Sequence, residues 1–195
     1  MPRLYVFDMG GVVSENVHVG RAIADYLGLN HSDIYEMLHD EFHALMAGTM
    51  TEREFWQLAS GRLGRPVEAD LLERFFQPRQ NREVVQLVLE LKEEARVVVG
   101  TNTIEGHYRI HRSNGDYDAF DAVYASHRMG LTKPDPAFYR FILGEEGVTP
   151  GESVFVDDLA VNVEAARRLG MRAFLFAGAR ALRAELEPLR RPPGA

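Results

Sequence analysis

The chain has no cysteine among its 195 residues. That excludes disulfides, thiolate metal sites and a cysteine nucleophile. It has no excess of basic charge either: 29 Asp and Glu stand against 22 Lys and Arg, a formal net charge of −7. A nucleic-acid surface needs a basic footprint, and a polybasic membrane patch needs the same. Neither nucleic acid nor membrane is therefore expected as a partner. No apolar run approaches the ~20 residues that cross a bilayer. The N-terminus shows neither the basic flank nor the apolar stretch of a secretory signal. A soluble cytoplasmic protein is the expectation.

What is present is a large apolar fraction, 46% of the residues. That is enough for a sizeable core in one domain, or in one domain with an insertion. Short, mostly continuous apolar runs recur at 4–7, 96–99, 122–124, 154–156 and 173–176. Such runs suit parallel strands buried on both faces. Between them, apolar residues fall at helical spacing over 81–94, 135–146 and 159–169. From residue 81 onward helix and strand alternate, the pattern of an α/β, doubly wound parallel sheet of Rossmann-like type.

The stretch between the first strand and residue 81 reads differently. Val19, Ile23 and Leu27 mark a first helix, and Ile34, Leu38, Phe42 and Leu45 a second. Thr51 with Glu54 forms the capping-box pattern that opens a third. Leu71, Leu72, Phe75 and Phe76 mark a fourth, ending before Pro78. No strand signal interrupts the stretch. Residues 1–15 plus 80–190 are therefore expected to form the α/β core and 16–79 an all-helical insertion. The tail, 191–195, is expected to lack fixed structure.

Ligands of open parallel sheets sit beyond the carboxyl ends of the strands. The first strand ends in Asp8, followed by Met9, Gly10 and Gly11; the second ends in Thr101 and Asn102; the fourth ends in Asp157 and Asp158. The loop after the third carries Lys133. Taken singly, each has a structural explanation as a helix cap or a solvated loop charge. Taken together, they converge on one rim. Three carboxylates facing one lysine call for a hard divalent cation, and oxygen ligands suit Mg²⁺. Asp8, the Gly10 carbonyl and Asp158 are the expected ligands, with Asp157 behind them.

These stretches resemble the haloacid dehalogenase (HAD) superfamily, which is mostly phosphatases. The motifs are Phe7-Asp8-Met9-Gly10-Gly11-Val12, Gly100-Thr101-Asn102, Lys133-Pro134-Asp135-Pro136 and Phe155-Val156-Asp157-Asp158, with Asn162 following. The 16–79 stretch corresponds to the family's helical cap. Residues 48–56 are similar to the cap of the subgroup containing α-D-glucose-1-phosphatase. The resemblance implies Asp8 as the nucleophile that forms an aspartyl-phosphate, with Mg²⁺ and Lys133 neutralising charge. It implies Thr101, Asn102, Lys133 and the backbone near Met9 and Gly10 as the phosphate seat, and Asn162 beside Asp157 behind the metal. The substrate would be a small phosphorylated metabolite, with a sugar phosphate among the candidates; no oligomeric state is assigned.

One position departs from the family pattern. Most family phosphatases carry a second Asp two residues after the nucleophile, and here that residue is Gly10. Glu15 and His18 are the nearest replacements as proton donors, though both also read as plain loop residues. A 2-haloacid dehalogenase using Asp8 would need no such acid, but Met9-Gly10-Gly11 does not match that branch. A catalytically silent HAD-like binding protein is the third alternative. His39 and His43 sit four apart but lack matching acidic partners. Arg21 and Arg53 read as surface charges, and Trp56, Phe75 and Phe76 as cap core.

Overall fold

The computed structural model describes residues 1–68 and 70–190; the tail expectation for 191–195 lies outside them. The elements run β1 (Leu4–Phe7), β2 (Ser14–Glu15), α1 (Gly20–Leu27), α2 (His31–Met46), α3 (Glu52–Leu63), α4 (Leu71–Arg74) and β3 (Arg79–Gln80). They continue with α5 (Arg82–Lys92), β4 (Arg96–Thr101), α6 (Glu105–Ser113), β5 (Ala122–Ala125), α7 (Ser126–Met129) and α8 (Pro136–Glu145). β6 (Ser153–Asp157), α9 (Ala160–Arg168), β7 (Arg172–Leu175) and α10 (Ala179–Arg190) complete the described chain.

Five strands form one parallel sheet in the order β5-β4-β1-β6-β7, which puts β1 at its centre. The reason is visible in the alternation of side chains. Tyr5, Phe7, Val97, Val99, Val154 and Val156 pack on one side with Val84, Leu87, Leu91 and Leu182 of α5 and α10. Leu4, Val6, Val98 and Phe155 pack on the other with Phe138, Ile142, Val163 and Ala166 of α8 and α9. Both faces are covered, so the strands read as continuous apolar runs rather than alternating ones.

Local signals set the helix starts. Thr51 and Glu54 make the reciprocal capping box at α3, which satisfies two otherwise unpaired N–H groups. Asn81 caps α5 through the Val84 N–H, and Asp135 caps α8 ahead of Pro136 at its first turn.

Helices α1–α4 form a further cluster with Val19, Ile23, Leu38, Leu45, Phe55, Trp56, Leu71 and Phe76 among others, which also takes in Ile104 from the segment after β4. Three features differ from expectation. The stretch is bracketed by the two-residue strands β2 and β3, which pair antiparallel with Ser14 opposite Gln80 and Glu15 opposite Arg79. Strands that short carry no hydrophobic period to read. They tie together the two points where the chain leaves and re-enters the α/β layers. The fourth helix is a single turn, Leu71–Arg74, because Phe75 already serves as its C-cap. The extra turn α7, directly after β5, had no sequence signal.

Candidate active site

Asp8 follows the last residue of the central strand. Its N–H still donates to the Val156 carbonyl at 2.8 Å, so the ladder holds the residue in place. Its side chain is almost wholly buried, 8% exposed as a residue. Asp157 ends the neighbouring strand β6 and is fully buried. Lys133 comes from the loop before α8. Its Nζ lies 2.8 Å from Asp8 Oδ1 and 2.7 Å from Asp157 Oδ2. Lys133 is 3% exposed, so the solvated-loop explanation does not hold for it.

The loop that delivers Lys133 is fixed from the end of β4. The Lys133 N–H donates to Asn102 Oδ1 at 2.8 Å, and Asn102 Nδ2 donates to the Lys133 carbonyl at 2.9 Å. The Asn102 amide is thus engaged at both ends by the lysine backbone. Thr101, the last residue of β4, is buried beside it. Ser126, at the start of α7, accepts the Thr103 N–H at 2.9 Å and donates to the Thr103 carbonyl at 3.1 Å. Ser126 belongs to no motif, and its part in fixing this loop carried no sequence signal.

Asp157 has little capacity left. Its Oδ1 accepts the Leu159 N–H at 2.8 Å and Asn162 Nδ2 at 3.0 Å, while Oδ2 accepts Lys133 Nζ and Asn162 Nδ2. Asn162 is in turn buried, 3% exposed. Asp158 is half-buried and faces the backbone of Gly11. Oxygens of Asp8, Asp157 and Asp158 lie within 4.8 Å of one another.

One ammonium shared by three carboxylates leaves the group short of positive charge. Burial drives the Asp8 carboxyl up to about 7; Lys133 opposes the rise and Asp157 adds to it. Burial also raises the Asp158 carboxyl, and the Asp157 charge adds to that. Burial works against the Lys133 ammonium, yet Asp8 and Asp157 together outweigh it and hold its pKa above the ordinary lysine value. The unmet negative charge fits a divalent cation. The donor set fits Mg²⁺ in particular: it is made of hard oxygens, and Asp158 is only half-buried. Asp8 and Asp158 have free oxygen capacity. The Gly10–Ser14 bridge is made by the N–H of Gly11 and the carbonyl of Met9, which leaves the Gly10 carbonyl outside it.

Met9 is buried, and its N–H bonds back to Asp8 Oδ1 at 2.7 Å. Gly10 faces Val17, whose Cγ2 would lie 3.3 Å from a Cβ there. Glu15 is exposed and turned towards Asn81 Nδ2, 3.4 Å away. His18 is exposed. Arg21 and Arg53 are exposed. The His39 and His43 rings approach to 4.5 Å, but among the described residues no acidic group completes a metal cluster with them. Trp56 and Phe76 are buried with the inserted helices, and Phe75 is half-buried. Among the described residues no helix is long and apolar enough to cross a membrane.

Known proteins resemble the chain in part or over most of its length. The drimenol cyclase drtB of Aspergillus calidoustus is 44% identical over 61 residues, a match that covers 31% of this chain and only 12% of that protein. The sesquiterpene phosphatase astK of Aspergillus oryzae is 26% identical, with 85% of each chain covered. The D-ribitol-5-phosphate phosphatase of Bacteroides thetaiotaomicron is also 26% identical, over 87% of this chain and 89% of that one. Among solved structures, a HAD-like hydrolase from Porphyromonas gingivalis superposes with a TM-score of 0.82 at 26% identity, covering 98% of this chain and 100% of that one. A HAD family enzyme from B. thetaiotaomicron, complexed with magnesium and inorganic phosphate, does so at 0.77 and 23% identity, covering 90% of this chain and 94% of that one. The family model for haloacid dehalogenase-like hydrolases matches residues 2–170, so with the rim of Asp8, Lys133, Asp157 and Asp158 in place, the chain belongs to the haloacid dehalogenase-like hydrolases.

Proposed function

We propose that this hydrolase is a Mg²⁺-dependent phosphatase acting on a small phosphomonoester through an aspartyl-phosphate on Asp8. The observation that carries the reading is the buried contact of Lys133 with both Asp8 and Asp157, beside a third carboxylate, Asp158, with which Lys133 makes no ion pair. The phosphatase names of the A. oryzae and B. thetaiotaomicron relatives support the same reaction class.

Asp8 is the nucleophile: the ladder bond and the Lys133 contact fix its carboxylate, and the ammonium opposes the burial that would protonate it, favouring the ionised form that attacks phosphorus. The phosphorus–oxygen bond to the leaving group then breaks, and water later releases phosphate from Asp8. Lys133 stays in place and offsets charge on the phosphoryl oxygens. Thr101, the backbone of Asn102 and the N–H groups near Met9 and Gly10 form the phosphate seat. Asp8, the Gly10 carbonyl and Asp158 would hold Mg²⁺. Asp157 and Asn162 keep Lys133 and the start of α9 in register. When bound, the ion supplies electrostatic stabilisation of the transferring phosphoryl group.

In this reading residues 1–15 and 80–190 are the catalytic core and 16–79 are a cap that excludes bulk water from the site. A cap of that size suits a metabolite, with sugar phosphates among the candidates. The test is phosphate release from a panel of phosphomonoesters, with and without Mg²⁺, by wild type and D8N. Metal-dependent release that D8N abolishes supports the reading. Chloride release from 2-chloropropionate without metal would replace it with dehalogenation, and neither activity would leave a binding protein.

A further inference from the structure

The first turn of α6 begins just beyond Thr101 and Asn102, and the inserted segment grips it at several points. Glu52 Oε1 accepts the Gly106 N–H at 2.9 Å. Glu73 pairs with Arg109. His107 Nε2 lies 3.0 Å from the Leu72 carbonyl, and its ring stacks on Phe76 with centroids 3.7 Å apart. Ile104, between the strand end and the helix, is buried in the cluster of the inserted helices rather than beneath the sheet. The fit at Gly106 is tight: a Cβ would lie 2.6 Å from Glu73 Cγ and 2.7 Å from Glu52 Oε1.

The first N–H groups of a helix have no intrahelical partner, and a carboxylate there gains from both the hydrogen bond and the helix dipole. Most helices take that cap from the residue just before them. At α6 the N-cap residue is Ile104, which makes no side-chain cap bond. The cap comes instead from Glu52, 54 residues earlier and on the insertion. The loop is held from the core side at Asn102 and Thr103, through Lys133 and Ser126. From Ile104 to Gly106 it is held by the insertion.

We propose that Glu52 is a positioning residue: by capping α6 from the insertion it fixes the Thr101–Ile104 loop in the geometry that seats phosphate, so the docking of residues 16–79 and the phosphate affinity of the core are coupled. This rests on the phosphatase reading above. Glu52 does not touch the reacting atoms; it acts through the loop.

The test uses the full chain with Mg²⁺, as wild type, E52A, E52Q and G106A. Three quantities are read: the affinity for inorganic phosphate by calorimetry, kcat and KM for p-nitrophenyl phosphate, and amide hydrogen exchange over residues 101–107. E52A is expected to weaken phosphate binding and raise KM roughly tenfold, the factor that corresponds to ~1.4 kcal/mol, with kcat changed far less. E52Q keeps an oxygen that can accept the Gly106 N–H and should recover most of the loss. G106A, which displaces both carboxylates without deleting either, should reproduce E52A together with faster exchange at 103–107. Wild-type phosphate affinity in E52A and G106A overturns the proposal at any melting temperature, and so does lost affinity without faster exchange. A wild type that neither binds inorganic phosphate nor releases it from p-nitrophenyl phosphate removes the phosphatase reading itself, and the proposal falls with it.

Discussion

The backbone of Gly11 lies against the carboxylate of Asp158, so close that a Cβ at position 11 would sit 2.6 Å from Asp158 Cγ. Gly11 also has a φ of +76°, a conformation that side chains disfavour. Both facts point the same way for Gly11→Ala. The left-handed backbone costs the variant roughly 1–2 kcal/mol, and Asp158 must move off the rim. The Mg²⁺ concentration for half-maximal phosphate release should rise by ~10–100-fold, the range for displaced metal-site partners. A metal titration of initial rates checks it; an unchanged midpoint would remove Asp158 from the ligand set.

Lys133 and Asp8 should separate stability from activity. Lys133→Met leaves two buried carboxylates without their ammonium, a change that costs about 3–5 kcal/mol when one partner of a buried pair is lost. Asp8→Asn removes one of the crowded negative charges and keeps the shape of the side chain. Both variants should lose phosphate release. Urea melts should show a large fall in midpoint for Lys133→Met and little or none for Asp8→Asn. A wild-type midpoint in Lys133→Met would mean that the Lys133 contacts contribute nothing to folding.

Much of this site was legible because parallel sheets give a rule for where strand ends meet. Asp8, Thr101, Asp157 and Lys133 lie far apart in sequence, yet the alternation of helix and strand brings them to one rim. The three central strands were legible for a similar reason, since burial on both faces makes each a run of apolar residues, and the edge strands β5 and β7, only partly buried, still carry short apolar runs. What stayed hidden depends on contacts with no period. The Asn102 amide clasps the Lys133 backbone, Ser126 holds Thr103, and Glu52 caps α6 across the molecule. In the sequence His107 and His111 form no ligand pattern. In the structure both are buried on Phe76, one stacked and one edge-on.

Those two histidines predict an acid-sensitive fold. Burial pushes His107 down to about 4, against the pull of the Leu72 carbonyl. Burial lowers His111 too, with the Asp116 carboxylate opposing. His107 is held neutral in the folded chain, and each of the two takes up a proton more readily once unfolded. Their stabilisation is therefore complete above the ordinary histidine pKa of about 6.5. For His107 it is lost as pH falls from there to about 4, a change of roughly 3 kcal/mol at most. Melting temperatures of wild type and His107→Leu across this window should converge towards acid pH. Parallel curves would show that His107 does not titrate in that interval.

The proton for the leaving group is the remaining question at Gly10, where Val17 occupies the space that a side chain would enter. Of the two nearby candidates, Glu15 is drawn towards Asn81, whereas His18 is exposed and follows Val17, which packs on Gly10. An alkoxide leaves poorly without a proton donor, and general acid help is typically worth ~10²–10⁴-fold. A phenolate needs far less help. His18→Asn should therefore lower turnover of an alkyl phosphate much more than that of p-nitrophenyl phosphate. Glu15→Gln should leave both near wild type. Paired steady-state rates on the two substrates decide the matter: equal losses in His18→Asn would make His18 a binding residue, and a selective loss in Glu15→Gln would reverse the assignment.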